Sequence, residues 1–266
     1  MAKLDRLGWA GGRVYQGFGL RIGVRANDRR LLEALGDAPI SGLRPSHAPS
    51  PLVDRLYCVI AGGSEGRVRR YSLAYADTAR IARSLDEAEV IAALRSDLER
   101  AVAERSRTRI FVHAGVVGWR GGAIVIPGKT QSGKTSLVQA LVRAGAVYYS
   151  DEYAVFDDQG LVHPFARPLV ARDGDREAGD EGPLLAGRVA LPVRHVVATR
   201  FVDGSEWRPR PLTRAATIMA LLRNTVAVRS APDRTLRVLQ ASVAAASGHE
   251  SARGDAAAAA RALLAA

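Results

Sequence analysis

A chain of 266 residues, 47% hydrophobic and 24% charged, has enough apolar surface to bury its own core as one large domain or two modest ones. No run approaches the roughly 20 apolar residues that span a bilayer, and the opening "MAKLDRLGWAGG" lacks the apolar stretch of a secretory signal, so a cytoplasmic protein without a membrane partner is expected. The formal charge of +11 points first to nucleic acid, but 38 basic residues include only Lys3, Lys129 and Lys134 as lysines, and a chain-wide arginine bias weakens that inference.

In chain order, residues 13–26, "RVYQGFGLRIGVRA", read as extended, and "NDRRLLEAL" as a helix capped by Asn27. A proline-rich connection, "SGLRPSHAPSPL", leads to strands in "VDRLYCVIA" and "RVRRYSLAYA" about the turn "GGSEG". The only cysteine, Cys58, lies in the first of these strands; it excludes a disulfide within the chain and reads as a buried thiol. A helix follows, with Ser84 and Glu87 in capping-box spacing. Residues 1–105 thus form a small N-terminal α+β domain.

From residue 106 the texture changes to short apolar strands and glycine turns: "RIFVHAGVV", "GGAIVIPG", a helix, "AVYYSDEYAVF", the turn "DDQG" and "LVHPFARPLV". Residues 172–186 read as an exposed charged loop, "RHVVATRFV" as a strand, and residues near 213–224 and 232–247 as helices. Asp255 caps a last, alanine-rich helix. An α/β fold is expected for residues 106–266.

Gly128, Lys129, Thr130, Gln131, Ser132, Gly133, Lys134 and Thr135, followed by Ser136, match G-x-x-x-x-G-K-[ST] between an apolar strand and an amphipathic helix, the context that a phosphate-binding loop requires. Glycines let backbone amides curl around anionic oxygens, and the helix N-terminus adds unsatisfied N–H groups. In such a loop Lys134 reaches the β and γ phosphates and the Thr135 hydroxyl holds Mg2+. Two of three lysines fall inside this loop in a chain whose default cation is arginine.

About ten helical residues carry the chain away from the phosphates by roughly 15 Å, and about five extended residues return it by roughly 17 Å. This puts Asp151 and Glu152 level with the loop, one to hold Mg2+ and one to take a proton from an attacking hydroxyl. As neighbours in a strand they are expected to point to opposite faces. A solvated strand end is the plain alternative. A hairpin about "GWRGG" pairs His113 near Pro127, beside the loop, although a lone histidine in an apolar strand is more often a core residue. His47, His163, His195 and His249 show no metal-ligand spacing.

His113, the glycine loop and "SDE" together resemble the catalytic domain of HPr kinase/phosphorylase, a P-loop fold related to phosphoenolpyruvate (PEP) carboxykinase. The resemblance covers residues 108–170. It implies a mixed sheet, ATP and Mg2+ as cofactors, Asp151 as general base, His113 assisting the phosphates or the acid, and Glu152 as the metal-side acid. Asp151-Glu152 stands where the family has Asp-Asp, and Lys134-Thr135-Ser136 where it has Lys-Ser-Glu. The family's glycine-rich second signature is missing, so the chain looks more like divergent HPr-kinase-like serine kinases. The expected reaction is transfer of the γ-phosphoryl group to a hydroxyl, a serine of a protein or peptide, by an enzyme that forms a possible homo-oligomer.

Residues 191–237 hold nine arginines against Asp203, Glu206 and Asp233; Arg208, Arg210 and Arg214 make a candidate clamp for a phosphate or an acidic peptide, with Arg167 a separate candidate. Competing readings are a P-loop ATPase or nucleotide-dependent regulator with water as acceptor, a small-molecule kinase, and a nucleic-acid binder whose affinity would depend steeply on salt. Neither N-K-x-D nor L-S-G-G-Q occurs in the chain.

Overall fold

The run of residues 13–26, extended in the sequence reading, is a hairpin: Phe18 and Gly19 take φ of 57° and 76°, the paired positive values of a tight two-residue turn. It opens a computed structural model that describes residues 8–47, 52–65, 68–128, 133–166 and 186–265. The fold is α/β, with two mixed sheets, and the chain divides between residues 107 and 108 into two compact units.

The first unit contains β1 (Gly11–Gly17), β2 (Leu20–Ala26), α1 (Arg29–Leu35), β3 (Arg44–Pro45), β4 (Arg55–Ile60), β5 (Ser64–Glu65), β6 (Val68–Arg69), β7 (Ser72–Ala76), β8 (Ala79–Ser84) and α2 (Glu87–Arg105). Its sheet has the order β3-β1-β2-β4-β7-β8, parallel only at β2–β4, and β5 and β6 form a separate ribbon. Both helices are capped by an aspartate slightly beyond the expected residue. Asp28 accepts from the Arg30 N–H, and Asp86 from the Ala88 N–H, while Ser84 accepts from the Asp86 N–H instead. Asp97 of α2 is buried and accepts from the Tyr57 hydroxyl at 2.9 Å and the Arg55 guanidinium at 3.2 Å, with Arg100 on its other oxygen. Cys58 is fully buried, its sulfur 3.1 Å from Arg25 Nε.

The second unit contains β9 (Ile110–Trp119), β10 (Gly122–Pro127), α3 (Lys134–Arg143), β11 (Val147–Ser150), β12 (Tyr153–Phe156), β13 (Val162–His163), β14 (Val193–Phe201), β15 (Arg210–Leu212), α4 (Arg214–Leu222), α5 (Pro232–Ser242), β16 (Ser247–Arg253) and α6 (Ala256–Ala265). The sheet order is β13-β12-β9-β10-β14-β16-β15, with β11 also on β9. Period-two alternation divides the core: Val112, Ala114, Val116 and Val125 pack with Leu221 of α4 and Val238 of α5, whereas Val117, Ile124 and Ile126 pack with Leu137 of α3 and Ala260 of α6. Helices therefore cover both faces.

β10, β14 and β16 run parallel, so Pro127, Phe201 and Arg253 end them at the same edge of the sheet, the edge where open α/β sheets bind ligands. Three expectations change here. "AVYYSDEYAVF" is not one strand but β11 and β12 with a bend at Asp151-Glu152. The helix expected to reach residue 247 ends at Ser242, and "SGHESAR" forms β16. "LVHPFARPLV" contributes only β13, its residues 167–170 lying outside the described residues with most of the expected 172–186 loop. Asp255 caps α6 as expected, accepting from the Ala257 and Ala258 N–H groups. Among the described residues no helix is long and apolar enough to cross a membrane.

Candidate functional site

β9 organises the site because three chain segments meet it around His113. On one edge β10 pairs Pro127 with Ala114, and the Gly128 N–H donates to the His113 carbonyl at 3.0 Å. Where β10 ends, the segment after α4 takes over that edge: the His113 N–H donates to the Asn224 carbonyl at 2.8 Å and the Val226 N–H to Phe111 at 3.0 Å. On the opposite edge the Ala114 N–H donates to the Glu152 carbonyl at 3.1 Å. The start of the glycine loop and the acidic bend are thus fixed one residue apart on a single strand.

Ser150 shapes that bend. Its buried hydroxyl accepts from the N–H groups of Glu152 (3.2 Å) and Tyr153 (3.0 Å), so the chain bends at Asp151 and Glu152 while the Glu152 carbonyl stays on β9, and the expected strict alternation of their side chains does not apply. The Tyr148 hydroxyl donates to Asp151 Oδ1 at 2.9 Å. Glu152 Oε1 lies 3.6 Å from His113 Nδ1, and the His113 ring stacks obliquely on Tyr153 with centroids 4.8 Å apart.

Lys134 opens α3 and is 8% exposed. Gly115 makes that approach possible: a Cβ there would lie 2.5 Å from Val138 Cγ2 and 3.9 Å from Lys134 Cβ, so α3 packs onto β9 at backbone range. Burial pushes the Lys134 pKa below the ordinary lysine value of 10.5, opposed in part by the negative charges of Glu152 and Asp151. Gly133, the N-cap of α3, takes a left-handed φ of 80°. Thr135 and Ser136 are exposed on the first turn, whereas Lys129, Thr130, Gln131 and Ser132 lie outside the described residues.

Arg253, at the end of β16, is a site residue absent from the sequence reading. It is 2% exposed, and its Nη2 donates to the Gly133 carbonyl at 2.5 Å. Burial pushes its pKa down, offset in part by Asp255. Its Nε has no hydrogen-bond partner among the described residues, and the guanidinium lies 5.9 Å from the Phe201 ring centroid.

Of the arginine clamp, Arg208 and Arg210 line one cavity, whereas Arg214 donates to the Gln240 carbonyl at 3.2 Å and lines another. Arg167 lies outside the described residues. His163 is hydrogen-bonded to Asp157 at 2.7 Å, and the His195 and His249 rings are 6.1 Å apart on neighbouring strands. Among the described residues no three His, Cys, Asp or Glu side chains gather into a metal cage. The Thr135 hydroxyl and the Asp151 and Glu152 carboxylates are hard oxygen donors, the type Mg2+ accepts alongside substrate phosphates.

The site therefore combines a buried cation at a helix N-terminus, two carboxylates in a bend and a partly exposed imidazole, at the carboxyl edge of parallel strands. No protein-family model matches the chain, and no curated protein matches it at a significant level.

Proposed function

We propose that this protein is an HPr-kinase-like phosphotransferase with a P-loop fold related to PEP carboxykinase, moving the γ-phosphoryl group of ATP to a serine hydroxyl of a protein or peptide. The observation that carries the reading is the fixing of the glycine-loop start and the Asp151-Glu152 bend on either side of His113 and Ala114. A phosphate source and a proton acceptor then meet at one place, which is what phosphoryl transfer requires of a protein.

In this reading Lys134 and the amides at the start of α3 hold the β and γ phosphates. The acceptor hydroxyl passes its proton to Asp151, oriented by Tyr148, while its oxygen bonds to the γ-phosphorus and the bond to the β,γ-bridging oxygen breaks, releasing ADP. His113, 3.6 Å from Glu152, holds that carboxylate toward the phosphates. Thr135 and Glu152 would hold Mg2+, which supplies charge neutralisation at the phosphates.

The test follows the label from γ-labelled ATP with Mg2+, with and without extract of the source cells, using Lys134→Ala as the control. Label in a discrete protein or peptide that Lys134→Ala fails to produce supports the kinase. Label released only as free phosphate, at the same rate with or without extract, replaces it with an ATPase or nucleotide-dependent regulator.

A further inference from the structure

A cavity of about 970 Å³ opens beside the loop strand, lined by Pro127, the ends of β14 and β16, the 204–210 segment and the end of α4. Two of its lining residues touch the machinery described above. Pro127 is the residue of β10 from which the glycine loop departs, and Asn224 accepts the His113 N–H. One end of the cavity therefore reaches His113 directly through Asn224 and, one residue removed, through Pro127 before Gly128.

Its walls carry Arg200, Arg208, Arg210 and Arg223 against Glu206 and Glu250. Arg208 is held by Glu206 at 2.6 Å. Arg210 stands opposite Glu250 across the β15–β16 pair. Among the described residues the guanidiniums of Arg200 and Arg223 have neither a hydrogen bond nor an ion pair, so the wall keeps uncompensated positive charge. The four guanidiniums come from β14, the loop between β14 and β15, β15 and the C-cap of α4, and all four residues are exposed. Small-molecule pockets of this volume are predominantly apolar and enclose their ligand. This one is polar, with its charge distributed along its walls.

We infer that this cavity binds the acceptor polypeptide through acidic residues flanking the phosphorylatable serine, with Arg200, Arg210 and Arg223 as the specificity-determining cations. The inference rests on the kinase reading for its acceptor role, but its binding claim stands on the cavity alone. Carboxylates matched to separate guanidiniums fix the register of an extended segment and set its serine toward Pro127 and His113. A nucleic-acid strand fits less well: the described lining contains no aromatic side chain on which bases could stack, and two glutamates interrupt it.

The experiment measures fluorescence anisotropy of two labelled peptides, a serine flanked by aspartates and glutamates and its asparagine and glutamine counterpart, against the full chain. The same measurements are made on Arg200→Gln, Arg210→Gln and Arg223→Gln, with Arg214→Gln, outside the cavity, as control. The acidic peptide is expected to bind at least about tenfold more tightly, a preference that each cavity variant reduces and Arg214→Gln leaves intact. Equal binding of the two peptides, a preference unchanged by all three cavity variants, or stronger competition from a single-stranded oligonucleotide than from unlabelled acidic peptide overturns the inference. Transfer of label from γ-labelled ATP to the same peptides separates the two claims. Acidic preference in binding without phosphorylation rejects the kinase reading and keeps the anionic-peptide site, whereas phosphorylation without acidic preference does the reverse.

Discussion

The guanidinium of Arg253 donates a 2.5 Å hydrogen bond to the carbonyl of Gly133, tying the last residue of β16 to the N-cap of α3 across 120 residues of chain. A buried cation thereby fixes the backbone from which Lys134 projects. Arg253→Ala is expected to weaken ATP binding about tenfold, the equivalent of about 1.4 kcal/mol. Arg253→Lys should recover only part of this, since lysine keeps the charge but not the planar fork. Isothermal titration of both variants checks it, and wild-type affinity in Arg253→Ala would refute the anchoring role.

Lys134 gives opposite pH trends for stability and binding. Its folded-state pKa lies below 10.5, so between that value and 10.5 the unfolded chain binds more protons than the folded one. The Lys134 contribution to the stability of the nucleotide-free protein therefore rises with pH across this window, while on the proposed phosphotransferase reading ATP affinity is expected to fall as the ammonium is lost. Lys134→Met should flatten both trends and raise the melting temperature of the nucleotide-free protein. Thermal melts and nucleotide titrations at a series of alkaline pH values give the two curves.

Gly115→Ala tests the close approach of α3 to β9. The new Cβ would meet Val138 Cγ2 at 2.5 Å, and a shift of the helix away from the strand to relieve that contact would take Lys134 with it. A loss of about 1–3 kcal/mol in stability is expected from overpacking, together with weaker ATP binding. Denaturant titration should show the first and calorimetry the second; a variant of wild-type stability and affinity would mean the contact relaxes without consequence.

In the first unit, Asp97→Ala strands the Tyr57 hydroxyl and leaves the Arg55 guanidinium, whose side chain is 14% exposed, with only the half-exposed Asp77 carboxylate at 4.0 Å. Breaking a buried pair from one side costs about 3–5 kcal/mol. Denaturant unfolding should show that loss, and Tyr57→Phe, which removes only one donor to Asp97, should cost less.

What could be read from the sequence followed from strong local signals. The glycine loop, the strand before it and the amphipathic helix after it are contiguous, and the hairpin about "GWRGG" fixes His113 beside them by simple pairing. The bend at Asp151-Glu152 was hidden because it depends on a serine hydroxyl replacing ladder bonds inside an apolar run. β16 was hidden for another reason: "SGHESAR" contains no β-branched or large aromatic residue and follows a helix, so it becomes a strand only by pairing with β14 and β15. Arg253 sits on that strand and went unseen with it. The clamp was half legible, since Arg208 and Arg210 share a segment, whereas Arg200 and Arg223 reach the same cavity from β14 and α4.

The partition of β9 between its partners also sets an order of assembly. β10 follows it through a tight turn, and α3, β11 and β12 complete the set before residue 157, so His113, Lys134, Asp151 and Glu152 come together through short loop closures. The parallel pairing that delivers Arg253 spans far more chain and closes more slowly. Contact order thus places the pairing of His113, Lys134, Asp151 and Glu152 ahead of the Arg253 bond to Gly133, so Arg253→Ala is expected to change the unfolding rate more than the folding rate.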